Sequence, residues 1–372
     1  VFDVSSPMTP ALVTSVVLPD SLSPEGLVVL EANRTATGRP QLQVAHEMSN
    51  TLDVLDLPTL IQSSGVGMAG YYSTPMLRDV VGGANLRISS LLTAGEVTNG
   101  LTPGSDAYVA PGVFDGMGAY DNGDGTITLL VNHELGANDG YQMNVQGLNS
   151  NVNGARISRF VIAKDRDGNA SNGYQPRVLS GGLAYDEVRS GDPAFARGGL
   201  ARFCSANLSE PFQFGPERGF VDRLFFVGEE TGSGRFFALD TAGADLHHLP
   251  ALGRGGWEAA VAVDTGHADT VALLLLDDTS GTNNYLYLWV GTKEAGSSEL
   301  LKRNGLDASS GALHAWKADA VNSQAGLNSL PLNTVVSGHW EALGSGHEIA
   351  ALPTAAALRA MAQDKGAMAF TR

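Results

Sequence analysis

Four apolar runs end abruptly in acid. Residues 129–134 close on Asn132-His133-Glu134, 224–230 on Gly228-Glu229-Glu230, 273–278 on Asp277-Asp278, and 286–294 on Lys293-Glu294. If these strands are equivalent members of successive sheets, their ends converge on one region. Carboxylates gathered in a low-dielectric pocket repel one another unless protons or a multivalent cation neutralise them. Oxygen-only cages suit Ca²⁺, which takes about 6–8 oxygen ligands, whereas a thiolate or imidazole nearby shifts the choice toward a transition metal. Acids also mark where strands reach solvent, and for any one run alone that plain reading is favoured; recurrence in four runs weighs against it.

Cys204 is the sole cysteine, so no intrachain disulfide forms. A lone cysteine is most often a small buried hydrophobe. No cysteine-protease signature surrounds it, which leaves metal ligation as the better functional option. Gly253-Arg254-Gly255-Gly256-Trp257-Glu258 places a guanidinium and a carboxylate in one Gly-rich turn. Arginine offers planar, bidentate donors to phosphate and Glu258 can join a metal, but a structural salt bridge explains the pair equally well. Arg235 and Lys293, each close to an acidic strand end, can face a bound anion or simply balance charge.

Several chemistries are excluded by missing patterns. There is no His-Glu-x-x-His and no paired cysteine spacing for zinc, and His247 and His248 read as strand or loop residues without a metal. No Gly-x-Ser-x-Gly elbow and no phosphate-binding Gly-x-x-x-x-Gly-Lys loop occurs. Residues 121–126 and 165–169 resemble calcium loops, yet neither completes an EF-hand ligand series, so both read as Asx-rich turns.

The elements that must position these groups are strands. Forty-six glycines and short apolar runs broken by Gly, Asp and Asn from about residue 101 onward give an all-β signature. The Gly-Asp turn before residues 126–131, and the loop between residues 223–227 and 235–239, read as hairpin pieces. Ala355 to Gln363 is the one expected helix, an unbroken run of strong formers. A four-stranded propeller blade takes about 40–50 residues, so about six blades fit; a sandwich is the competing architecture. Residues 1–100 are weakly patterned and read as an extended N-terminal segment packed on a propeller of residues 101–372. The 372 residues carry 23 basic and 39 acidic side chains, a net charge of −16, which argues against nucleic acid or an anionic membrane surface as the partner. No apolar run approaches the ~20 residues that span a bilayer, and Val1 opens without a signal-peptide pattern, so the expectation is a soluble chain, mature or cytosolic.

The motifs also occur in a telling order. Residues 111–120, Asn132-His133-Glu134, Arg202-Phe203-Cys204-Ser205, Gly228-Glu229-Glu230, Leu252-Gly253-Arg254 with Trp257-Glu258, and residues 287–293 together resemble the PhoX-type bacterial alkaline phosphatases over roughly residues 92–372. The resemblance implies a β-propeller with an axial iron and calcium site, hydrolysing small phosphate monoesters in the periplasm or after secretion, with a monomer expected. It implies Cys204 and Glu229 or Glu230 as iron ligands, Glu134, Glu258 and Asp278 as metal-cage carboxylates, and Arg254 as the phosphate clamp. Family members usually continue past Phe-Thr-Arg with a Pro-Glu-Asp segment, whereas this sequence stops at Phe370-Thr371-Arg372. The expectation is that some acidic ligands and a closing strand are missing. A phosphodiesterase or a calcium-dependent lactonase on the same architecture, and a non-catalytic calcium-stabilised binding propeller, are the alternatives.

Overall fold

The hairpin expected around the Asp121 turn forms as strands Phe114–Asp121 and Thr126–His133, paired antiparallel from Ile127 opposite Asp121 to His133 opposite Phe114. The turn is closed as an Asx motif: Asp121 Oδ1 accepts from Gly123 N at 2.9 Å and Asp124 Oδ1 from Thr126 N at 3.0 Å. The other calcium-loop-like segment, 165–169, lies outside the described residues. The computed structural model describes residues 2–3, 11–12, 24–30, 35, 41–47, 51–56, 87–164, 176–279, 283–321, 323–331 and 334–370.

The chain divides into two compact units, Val1–His133 with Ile157–Leu183, and Glu134–Arg156 with Ala184–Arg372. In the first, Phe114–Asp121 and Thr126–His133 continue into Arg156–Ala163 and Arg177–Leu183 as a four-stranded antiparallel sheet. The N-terminal hundred residues, expected to be extended, contain another four-stranded antiparallel sheet: Pro24–Leu30, Gln41–His46, Thr51–Asp56 and Arg87–Thr93. One core, including Leu52, Leu92, Phe114, Leu129 and Phe160, joins side chains of both sheets.

The second unit is an extended run of antiparallel strands. Phe203–Ser209, Leu224–Gly234, Phe236–Asp240 and Asp245–His248 are neighbours in turn, and Glu187–Arg189 adds in parallel to the last. Gly255–Val263, Thr270–Asp277, Asn284–Thr292, Gly311–Ala318 and Gly338–Ser345 follow as a meander. The two sets are tied through Glu230 opposite Gly256. Buried aromatics hold the inner strands together: Trp257 meets Phe236 and Tyr287 edge-on, with ring centroids 5.9 and 5.8 Å apart.

Four α-helices occur among the described residues, all short, and the expected one spans Ala355–Asp364. Thr354 caps it by accepting from Ala357 N. Its Leu358 and Ala362 enter the core of the second unit. Among the described residues, no helix is long and apolar enough to cross a membrane. The fold is therefore all-β with a few short helices, as the glycine-rich strand pattern predicts.

Candidate metal centre

The strand of Cys204 carries an irregularity that matters. Phe203–Ser209 pairs with Leu224–Gly234, Phe203 lying opposite Glu229, and the register shifts between Phe203 and Ala206. In a regular strand Cys204 and Ser205 face opposite ways. The bulge lets both reach the same carboxylate: Cys204 Sγ donates to Glu258 Oε2 at 3.2 Å, and Ser205 Oγ to Glu258 Oε1 at 3.1 Å. Glu258 itself alternates with Trp257, whose indole is fully buried in the core.

Three more acids complete the arrangement. Ligand atoms of Glu134, Cys204 and Glu230 lie within 4.8 Å of one another, and so do those of Glu230, Glu258 and Asp278. Glu230 belongs to both groups. The first contains sulfur and the second only oxygen, matching a softer and a harder cation respectively. Backbone bonds fix the segments: Glu230 N donates to Arg202 O at 2.8 Å, Arg202 N to Leu135 O at 2.8 Å, and Asp278 N to Gly256 O at 2.6 Å. Gly256 permits that last approach, because a Cβ there would lie 2.1 Å from Thr279 Oγ1 and 2.8 Å from Asp278 O.

Four carboxylates and a thiol are thus gathered, and Arg202 meets two of the carboxylates. Its Nη2 contacts carboxylate oxygens of both Glu134 and Glu230, and its Nε donates to Glu230 O at 3.0 Å. Burial opposes its charge, but the Glu230 hydrogen bond and the Glu134, Glu230 and Cys204 charges outweigh it and raise its pKa. The donor set, carboxylate oxygens with one sulfur, fits bound cations.

The structure separates the adjacent acids that the strand ends left equivalent. Glu229 is 3% exposed and is wholly engaged by Arg235: Nε donates to Oε2 at 2.5 Å, Nη2 to Oε1 at 2.6 Å, and backbone N–H groups of Arg235 and Ala201 add two more bonds. Arg235, stacked over Phe195 and Phe237, is paired with Glu229. Asp277 is likewise taken by Arg359 of the Ala355–Asp364 helix, through bonds of 2.7 and 2.6 Å, and accepts Gly256 N at 2.9 Å. In each acid pair one member takes a two-bonded arginine and the other joins the cluster: Glu229 and Glu230 are successive residues of one strand and face opposite ways, and Asp278 follows the last residue of its strand.

Two other expectations are redirected. Arg254 turns to Asp192, Nη2 to Oδ2 at 3.5 Å, and its pKa is lowered by burial and then by Arg235. Lys293 Nζ donates to the carbonyls of Glu217 at 2.6 Å and Gly219 at 3.0 Å, over the Phe212 ring. The reason is topological. Thr270–Asp277 and Asn284–Thr292 are antiparallel neighbours with Thr270 opposite Thr292, so the Lys293-Glu294 end leaves the sheet at the edge away from Asp277. Four strand ends were expected to be equivalent; three contribute.

His247 and His248 lie on the short Asp245–His248 strand. His248 Nδ1 is 2.9 Å from Ser190 Oγ, and burial, then Arg254 and Arg235, push its pKa down to about 3. The residues that sequence reasoning left without a role are Arg202 and Ser205. Their signal was nearness to Cys204, which says nothing of direction.

No protein-family model and no curated protein matches the sequence. Among solved structures, the chain is similar to Pseudomonas fluorescens PhoX in complex with vanadate, a transition state analogue, at 14% identity and a TM-score of 0.47. The match covers 70% of this chain and 55% of the length of that one.

Proposed function

We propose that this chain is a metal-dependent phosphomonoesterase, acting outside the cytoplasm on small phosphoesters, with iron and calcium held at strand ends of a propeller formed by residues 101–372. The observation that carries the reading is the convergence of Glu134, Cys204, Glu230, Glu258 and Asp278, drawn from segments far apart in sequence. The ordered motifs described above supply the phosphatase class. In this reading Cys204, Glu134 and Glu230 hold iron, and Glu230, Glu258 and Asp278 hold calcium, Glu230 serving both.

When bound, such cations supply positive charge to the ester oxygens and to the leaving oxygen, and lower the pKa of water. The chain's own residues prepare that site. Glu258 Oε2 already accepts the Cys204 thiol hydrogen bond, which orients the sulfur in the cluster; on ligation as thiolate the proton would be released to solvent, leaving Glu258 ionised. Ser205 holds the other Glu258 oxygen and fixes the carboxylate plane. The Arg235–Glu229 and Arg359–Asp277 pairs lock the two strands that present Glu230 and Asp278.

The test is elemental analysis of purified protein together with turnover of p-nitrophenyl phosphate, its bis-ester and a lactone. Iron with calcium, and turnover of the monoester above the other two, is the expected result. Calcium without iron and no turnover would identify a binding protein instead, and preference for the bis-ester or lactone would replace the phosphomonoesterase assignment.

A further inference from the structure

We infer that Arg202 is a built-in counter-ion of the carboxylate cluster, and that its pairing with Glu134 and Glu230 competes directly with cation binding. The inference rests on the reading of the cluster as a metal site.

The same oxygens are claimed twice. Arg202 Nη2 contacts Glu134 Oε1 and Glu230 Oε2, and both residues belong to the sulfur-containing ligand group. A single guanidinium nitrogen contacts one oxygen of each carboxylate, so those two oxygens are engaged by the arginine and are not free for a cation. The other basic groups singled out from sequence are committed elsewhere: Arg235 to Glu229, Arg254 to Asp192, and Lys293 to two backbone carbonyls.

Arg202 also has somewhere to go. Its side chain is 47% exposed, while those of Glu134 and Glu230 are 6% and 9% exposed. The acids are fixed and the guanidinium reaches solvent, so an arriving cation displaces the arginine and leaves the carboxylates in place. The Arg202 backbone stays tied by Leu135 O and Glu230 N, and its φ of 48° is a conformation held by those neighbours. Apparent cation affinity is therefore reduced by the fraction of molecules in which the arginine is paired.

The experiment is a titration of the full chain, stripped by chelator, with Fe²⁺ under anaerobic conditions and with Ca²⁺, for wild type, Arg202→Gln and Arg202→Lys. The glutamine variant should bind at least about tenfold more tightly, with the competing charge removed. Lysine keeps the charge but loses the fork, so its gain should be intermediate. In unmodified protein, the Arg202 Nη2–H resonances should be protected from exchange before Ca²⁺ is added and exchange with water afterwards. Equal or weaker binding by Arg202→Gln, or an Arg202 resonance that stays protected in the loaded protein, would overturn the inference. Failure of wild type to take up any cation would instead refute the metal site itself.

Discussion

Adjacent acids in one strand should respond in opposite ways to the same chemical change. Glu229→Gln removes a charge that accepts four hydrogen bonds, two from the Arg235 guanidinium, and leaves Arg235 buried at 7% exposure without its partner. Removing one member of a buried ion pair costs about 3–5 kcal/mol. At roughly 2–4 °C per kcal/mol for a unit of this size, the midpoint of thermal unfolding should fall by about 6–20 °C. Glu230→Gln removes a charge whose guanidinium partner is half exposed, so about 1 kcal/mol or less is at stake. Relief of repulsion among the acids offsets part of that. The assay is circular-dichroism melting in chelator, followed by equilibrium dialysis against Ca²⁺. Glu229→Gln should melt early yet retain Ca²⁺ binding at low temperature, whereas Glu230→Gln should melt near wild type and lose it. The reverse pattern would refute the division of labour between the two faces of this strand.

Three further outcomes follow from the geometry. Arg359→Leu strands the buried Asp277 carboxylate with Gly256 N as its remaining described donor and should cost about 3 kcal/mol in chemical denaturation, with Ca²⁺ stoichiometry unchanged. Gly256→Ala drives a methyl against Thr279 Oγ1 and the Asp278 carbonyl, and should cost about 1–3 kcal/mol while weakening Ca²⁺ uptake, measured by melting and dialysis. His248 is held neutral, with a folded pKa of about 3 against an ordinary 6.5, so the unfolded chain binds the extra proton and stability declines as pH falls between those values. Replacing His248 with Gln should flatten the plot of unfolding free energy against pH by up to about 1.4 kcal/mol per pH unit in that window.

Much of the cluster was legible because strand ends are visible as apolar runs stopped by acid, which is how Glu134 and Asp278 entered the candidate set. The choice between neighbours was not. Leu224-Phe225-Phe226-Val227 and Leu273 to Leu276 are apolar on both faces, so no alternation marks which acid turns inward. Equivalence of all four ends failed at Lys293 because adjacent antiparallel strands leave by opposite edges, a property of pairing and not of any one segment. Arg202 was hidden in its backbone conformation, which nothing in an Arg-Phe-Cys string announces. The sheet inside the first hundred residues escaped for another reason. Leu27 and Val29 are exposed at 59% and 60% while Gln41 and Gln43 are buried, so its polarity pattern runs against the usual inside-outside rule. The Ala355–Asp364 helix was plain from composition, since local propensity and tertiary packing agree there.

The most direct test of a sulfur-containing metal centre is X-ray absorption at the iron edge on protein purified without added metal. One sulfur scatterer among oxygen neighbours is the predicted result, lost in Cys204→Ala. An iron environment without sulfur, or an iron-free protein with full phosphatase turnover, would contradict it.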